Sequence, residues 1–329
     1  MKKITAIGIA LIFVFFSFFS CGKKPSAPKA GSASADDMLS LIPADAKGVF
    51  FVNFNKAMTT EIASKTIKED KNYQKYQEFI EMTGIDPQKD VYFVAVAITG
   101  TMEKEKAKGG AIVNLKYDKD NLLSLIKAKA AEEGQEFQEE EYSGVMIYAW
   151  KKEEEEKQYF SFMDESNIIA GNEVVVKSII DVMQEKKENV FKNEVLSALI
   201  EKTNKDAMLW GAILIPPEAM SKAASQNPML SSLEGINAVS MYFDYKNKNI
   251  IAEIKVISSD ETKNQQVADL LNGLKAMGGM AATEKPEIGE LINKIEITST
   301  ADHVKIYASI PEDLINKLKE MEKKEEKNL

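Results

Sequence analysis

The pattern of apolar and polar positions from residue 38 onward predicts a mixture of strands and helices. Short apolar or alternating runs bounded by Gly, Pro and Asn are typical of strands, and a 3.6-residue period is typical of helices. Strand-like runs lie at 48–54, 91–98, 110–115, 145–150, 159–163, 167–170, 207–215, 238–245, 250–257, 296–299 and 304–309. Helical patterns lie at 55–83, 118–133, 173–185, 258–277 and 311–321.

Local residue choices mark where several of these elements begin and end. Gly84 occupies the position expected after a helix, and Asp118 is an N-cap candidate. Ser258 and Glu261 have capping-box spacing, and Pro311 is placed to open the last helix. The polar residues 246–249 predict a hairpin turn.

Strands and helices follow a similar order in the two halves of the chain. We therefore predict an α+β fold of two related lobes, each an antiparallel sheet backed by helices. The first lobe is assigned to 38–203 and the second to 204–322. The residues 323–329 form a charged tail.

The N-terminus has the layout of a secretory signal peptide. Lys2 and Lys3 precede an apolar run that ends at Phe19, and Ser20-Cys21 follows it. This junction resembles the lipobox of bacterial lipoproteins, with Phe in the two positions before Ser20. The resemblance implies a signal peptide at 1–20 and a lipid on Cys21. The residues 21–37, small, polar and Pro-containing, then predict a flexible tether.

Cys21 is the single cysteine of the chain, so no disulfide within it is available. The partner expected from this site is a membrane, bound through the lipid. Gly22, rather than Asp, follows the cysteine, which by resemblance to known sorting rules favours the outer membrane and a periplasm-facing domain. The alternative is an uncleaved N-terminal anchor with Cys21 at its boundary.

Charge argues against nucleic acid as a partner. The formal net charge is −9, and loss of Lys2 and Lys3 leaves 40 cationic against 51 acidic residues, a net charge of −11. Nucleic-acid affinity comes chiefly from cationic contacts with phosphate. The sequence contains no arginine, the usual residue for bidentate binding of carboxylate or phosphate.

No catalytic motif is recognisable, which predicts a protein that is not an enzyme and uses no cofactor. His303, the lone histidine, is placed at the start of a strand, and neither a G-x-S-x-G element nor a phosphate-binding loop occurs. A metal site would need several His or Cys ligands. Ser-Lys chemistry and paired carboxylates stay open as a hydrolase alternative. The acidic runs 139–141 and 153–156 are assigned to solvated loops.

The second half also carries a candidate contact surface. Alternation in 208–214 and 239–245 places apolar side chains on both faces of the predicted sheet, and one face would be an apolar groove if helices cover only the other. Met277 and Met280, with Met220 and Met229, would supply adaptable contacts. Packing in a core is the alternative role of these residues.

Several short motifs resemble an uncharacterised family of bacterial envelope proteins. They are Leu41-Ile42-Pro43-Ala44-Asp45, Thr83-Gly84-Ile85-Asp86-Pro87, Tyr142-Ser143-Gly144-Val145 and Ile168-Ile169-Ala170-Gly171. The resemblance implies a fold and no activity. The function expected is a membrane-anchored envelope lipoprotein that binds proteins, envelope proteins among them. The alternative is a carrier of a small apolar or lipid ligand held between the lobes.

Overall fold

The computed structural model describes residues 29–69, 72–100, 107–151, 156–226, 231, 233, 235–282 and 285–327. Twelve α-helices and twelve antiparallel strands lie in these ranges, so the predicted α+β class is confirmed. Every helix in the described ranges falls short of the length and apolarity that a membrane span needs.

The helices are α1 (Ala35–Leu39), α2 (Phe54–Met58), α3 (Glu61–Glu69), α4 (Tyr73–Thr83), α5 (Pro87–Asp90), α6 (Lys119–Glu132), α7 (Glu173–Met183), α8 (Glu194–Glu201), α9 (Pro217–Gln226), α10 (Glu261–Ala281), α11 (Pro286–Asn293) and α12 (Glu312–Lys327). The strands are β1 (Gly48–Asn53), β2 (Val91–Gly100), β3 (Ala107–Leu115), β4 (Glu136–Tyr142), β5 (Val145–Lys151), β6 (Gln158–Phe162), β7 (Asn167–Gly171), β8 (Leu209–Leu214), β9 (Ala238–Lys246), β10 (Asn249–Ile257), β11 (Ile295–Ser299) and β12 (His303–Pro311).

The chain divides into two compact units. The first contains the described residues up to Gly100 and from 107 to Ser197, and the second begins at Ala198. The sequence placed this division after residue 203. The difference arises because the division falls within α8, whereas the sequence-based boundary was placed ahead of the strand predicted at 207–215.

The two units repeat one strand order. Neighbouring strands in the first unit follow the order β1-β2-β3-β7-β6-β5-β4, and those in the second follow β8-β9-β10-β12-β11. The second order matches the first five strands of the first one by one, with helices inserted at corresponding points of the chain. The hairpin β4–β5 is the addition that distinguishes the first unit. Strand topology therefore supports the prediction of two related lobes.

The first unit has a sheet covered on both faces. Gly110 lies so close to α7 that a Cβ on it would be 2.6 Å from Val175 Cγ1. Because side chains alternate along a strand, Val113 and Leu115 point to the other face. There they join a buried cluster with Leu122 of α6, the α4 residue Phe79 and the ring of Phe160.

The N-terminal part of the first unit corrects the predicted tether. Residues 35–37 were assigned to the flexible tether, but they belong to α1, whose N-cap is Ser34. Ser34 and Asp37 form a capping box, and the following Met38 and Leu39 are fully buried. The apolar side chains after the cap explain the difference, since their burial fixes the preceding turn.

Two other predicted segments are corrected. The pattern at 55–83 is divided into α2, α3 and α4, because Thr60 accepts a hydrogen bond from the Ala63 amide and starts a new helix. The acidic run 139–141 is part of β4, where Glu139 pairs with Lys127 and Glu140 pairs with Lys177. Charged residues are tolerated there because β4 is an edge strand of its sheet.

Other local predictions have mixed outcomes. Asp118 caps α6, and Gly84 has the left-handed conformation at the end of α4, as predicted. The capping box at Ser258 is wrong, since Asp260 is the N-cap of α10 and Ser258 Oγ accepts from the Asp260 amide. The hairpin β9–β10 turns at Asn247 and Lys248, both with positive φ, in agreement with the predicted turn.

Candidate functional site

One face of the second unit's sheet is apolar along four strands. Registered cross-strand neighbours share a face, and Ile254 of β10 lies opposite Met241 of β9 and Ile306 of β12. The same register aligns further apolar side chains on this face, which we call the apolar sheet face: Leu209, Ile213, Val239, Phe243, Ile250, Ala252, Val256, Val304, Ala308 and Ile310.

The apolar sheet face is only partly covered. Val304 and Ala308 are buried, whereas the other members, from Leu209 to Ile310, keep part of their surface exposed. Helix α10 packs on β11 and β12, and Val267 and Ala268 of this helix contact the region of Val304. The buried cluster there is much smaller than the cluster around Leu122 in the first unit. The apolar sheet face is thus an incompletely buried surface.

On the opposite face of this sheet, Tyr242 lies between the buried Trp210 of β8 and charged side chains of β10. Tyr242 is paired with Glu253 of β10, and Glu253 forms an ion pair with Lys255 at 3.1 Å. Burial raises the pKa of Tyr242, and the charge of Glu253 raises it further. The two faces differ because successive residues of β9 and β10 alternate between apolar and polar side chains.

The C-terminal half of α10 exposes apolar side chains to solvent. Leu274, Met277 and Met280 are 46%, 62% and 71% exposed and follow one another at three-residue spacing. We call these three residues the α10 apolar stripe. From residue 270 to the end of the helix the single charge is Lys275, whose ammonium donates a hydrogen bond to the Ile295 carbonyl. An amphipathic surface helix would carry polar residues at the positions of the stripe.

Beside the α10 apolar stripe, α10 and α11 enclose an open groove of about 650 Å³. Gly278 allows the two helices to approach, since a Cβ there would lie 3.3 Å from Ile292 Cδ1. The groove is lined by Lys275, Ala276, Gly279 and Met280 of α10 and by Gly289 and Ile292 of α11.

The structure describes only some of the site residues that the sequence predicted. Cys21 and Met229 lie outside the described residues. Met277 and Met280 are on the same helix and exposed, as the contact-surface prediction requires, while Met220 lies on α9 and is half-buried. Leu274 was missed, although its three-residue spacing to Met277 was readable in the sequence.

His303, the single histidine, contacts two neighbouring side chains at a hairpin turn. His303 Nδ1 is 2.7 Å from Asp302 Oδ1 and 2.9 Å from Thr300 Oγ1, at the turn of the β11–β12 hairpin. In the described part of the chain, no group of three or more His, Cys, Asp or Glu residues is arranged to hold a metal ion.

Two Ser-Lys pairs are formed among the described residues of the first unit, and in one of them Lys186 Nζ donates to Ser143 Oγ across 2.9 Å. In the other, Lys187 Nζ donates to Ser178 Oγ across 2.9 Å, and Asp181 Oδ2 lies 3.9 Å from the same nitrogen. The side chain of Lys187 is half exposed. The hydrogen bond from Lys187 to Ser178 links the segment after α7 to that helix.

Comparison with known proteins gives a family without an assigned activity. A family model described as "Protein of unknown function (DUF3352)" matches residues 4–320, so the chain belongs to this family. The prediction of an uncharacterised family is therefore confirmed. No functionally curated protein matches the chain.

Solved structures with a similar arrangement include crystal forms of TP0453. Crystal form III aligns at 12% identity over 84% of this chain and 95% of that chain, with a TM-score of 0.48. Crystal form I aligns at 9% identity over 84% and 94% of the two chains, with a TM-score of 0.45.

Proposed function

We propose that this protein is a lipoprotein of the cell envelope that acts by binding a partner protein through the α10 apolar stripe, without catalysing a reaction. The lipid on Cys21 attaches it to a membrane, with the outer membrane favoured. The folded units then face the periplasm. The exposed Leu274, Met277 and Met280 are the observation that carries the binding role.

Exposed apolar residues in a row are unusual on a surface with no partner, because their contact with water costs free energy. Methionine is flexible and polarizable, so Met277 and Met280 adapt to the side chains of another protein. Their three-residue spacing along α10 presents a helical ridge, which suits a groove between helices of a partner. Scarcity of charge along this part of α10 favours an apolar contact.

Photo-crosslinking in the envelope tests the binding role. A photoreactive amino acid at Met277 is expected to give a discrete protein adduct after irradiation. Met82 provides a matched control, since it is a methionine 57% exposed on α4 of the first unit. Adducts at both positions, or at neither, would contradict the proposal.

The lipid anchor is tested by the intact mass of membrane-extracted protein. We expect a chain that begins at Cys21 and carries acyl groups, because two or three acyl chains give stable attachment. The Cys21→Ala variant should keep residues 1–20 or leave the membrane. A native chain that retains residues 1–20 without acylation would support a signal anchor instead.

A carrier of an apolar ligand is the second candidate function. The partly exposed apolar sheet face favours it, because aliphatic side chains such as Ile250 and Ile254 would contact an acyl or other apolar ligand. Protein purified without detergent would then retain a small molecule visible by native mass spectrometry. A ligand-free mass together with a Met277 adduct would favour the protein-binding role.

A further inference from the structure

The N-terminal segment is fixed to the first unit earlier in the chain than the sequence suggests. The Gly31 amide donates a hydrogen bond to Asn114 Oδ1 across 3.1 Å. Asn114 is fully buried and donates in turn to Asn167 Oδ1 at 2.9 Å. The N-terminal segment is thus attached to the buried Asn114–Asn167 pair of strands β3 and β7. Gly31 and Asn114 are 83 positions apart in the sequence.

Gly31 is suited to this contact for two reasons. Its φ is +72°, a conformation that costs residues with a Cβ free energy. A Cβ at this position would also lie 3.1 Å from Cε1 of Tyr92, closer than an ordinary contact. Three residues later the Ser34–Asp37 capping box begins α1, whose Met38 and Leu39 are buried.

This attachment limits how far the first unit can stand from the lipid. Gly31 lies ten positions after Cys21, and a fully extended chain over ten such steps spans at most about 35 Å. If the body began at Met38 instead, the same calculation would allow about 60 Å. The limit holds for any conformation of the intervening residues.

We infer that the end of the first unit at Gly31, Asn114 and Asn167 is its membrane-facing end, held close to the lipid headgroups by the docked segment. The inference rests on the proposed lipid anchor. Val91 and Leu115 are paired at this end, where β2 begins and β3 ends. Lys116 follows directly, whereas Lys108 lies near the other end of β3, about 26 Å away at roughly 3.3 Å per residue.

Energy transfer to the membrane distinguishes the two ends. Lys116→Cys and Lys108→Cys variants of the lipidated protein would each carry a fluorophore, in phosphatidylcholine–phosphatidylglycerol vesicles with an acceptor on the headgroups. Acylation of Cys21 leaves the introduced thiol for labelling. We expect higher transfer from position 116 than from position 108. Equal transfer, or higher transfer from 108, would overturn the inference.

Two further variants test whether the docked segment is responsible. A 20-residue Gly-Ser insertion after Gly22 leaves the Gly31 contacts in place and should lower transfer from position 116 and reduce its excess over position 108. Gly31→Ala should reduce the same excess by releasing the segment. Gly84→Ala is the control, because its φ is also +72° but a Cβ there would have no neighbour within 4 Å.

The outcomes separate this inference from the proposed function. Protein that lacks acyl groups and does not float with the vesicles contradicts the lipid anchor, and the orientation with it. Acylated, vesicle-bound protein with equal transfer from both positions contradicts the orientation alone. An excess at position 116 that survives both the insertion and Gly31→Ala would also reject a role for the docked segment.

Discussion

Asn114 and Asn167 are buried cross-strand partners, and Asn114 Nδ2 donates to Asn167 Oδ1 across 2.9 Å. Asn167 Nδ2 also donates to the carboxylate of Asp164, at 3.0 Å and 3.1 Å to its two oxygens. Together with the Gly31 amide, these groups form a polar chain where β3 ends and β7 begins. A buried chain of this kind stabilises the fold only while its members keep their partners.

We expect Asn114→Leu to lower the free energy of unfolding by about 2–4 kcal/mol. The variant keeps the branched shape and the number of heavy atoms of the side chain but removes the acceptor for Gly31 and the donor to Asn167. Denaturant unfolding measures the change. The exposed Asn237 gives a control, and Asn237→Leu should change stability by about 0.5 kcal/mol or less. A similar small loss for both variants would show that the polar chain contributes little.

Asp86 should make stability depend on pH. Burial raises the pKa of this carboxyl, but hydrogen bonds from Lys89, Tyr76 and the Gln88 amide outweigh it and lower the pKa below its usual value. A carboxyl with a lowered folded-state pKa stabilises above its unfolded value of 3.8, and this contribution is lost as pH falls through the folded value.

Unfolding measured from pH 6 to pH 2 should therefore show a steeper loss for the wild type than for Asp86→Asn. At pH 6 the variant should be less stable by about 1–2 kcal/mol, since it weakens the contacts of Lys89 and Tyr76 and alters the cap of α5. Asp120→Asn, on the exposed face of α6, is the control. Parallel pH curves for wild type and Asp86→Asn would contradict the expectation.

Gly171 should be among the least tolerant positions of the first unit. It has φ +149°, and a Cβ there would lie 2.4 Å from the Gly109 carbonyl oxygen and 2.5 Å from Gly110 Cα. Gly171→Ala is expected to cost about 3 kcal/mol or more, because β3 and β7 must separate. Gly134→Ala is the control, with φ +64° and no neighbour within 4 Å, and should cost about 1–2 kcal/mol. Equal melting temperatures would exclude the close strand contact.

The α10 apolar stripe should affect binding more than stability. Replacing Met277 and Met280 together by Gln should change the free energy of unfolding by about 0.5 kcal/mol or less, because both side chains are largely exposed. Binding of a hydrophobic dye should fall, together with crosslinking of the partner at Leu274. Met82→Gln should leave both signals unchanged. A large loss of stability in the double variant would indicate that the stripe is part of the core.

Local sequence signals predicted most individual elements. Asp118 was recognisable as a cap because its carboxylate accepts from an amide only three residues away, and Gly84 because a left-handed glycine commonly ends a helix. The turn at Asn247 and Lys248 was likewise readable from four neighbouring residues. Such signals involve contacts within one turn, so they need no knowledge of the rest of the fold.

The same reasoning failed where a distant partner decides the local structure. Gly31 resembles any residue of a polar linker, and only Asn114 and Tyr92, far along the chain, make it the start of the folded body. The acidic run at 139–141 resembles a loop, and its pairing with β5 and its ion pairs with Lys127 and Lys177 place it in a strand.

The sequence by itself determined the α+β class, the two related halves, and the prediction of a lipid on Cys21. Only the tertiary structure decided which apolar residues stay exposed. Met277, with 62% exposure, and Val267, which is buried, lie on one helix and both have apolar side chains. Which of them meets the sheet depends on the packing of α10 on β11 and β12. Periodicity gives the faces of a helix, but contacts between distant elements choose the face that is buried.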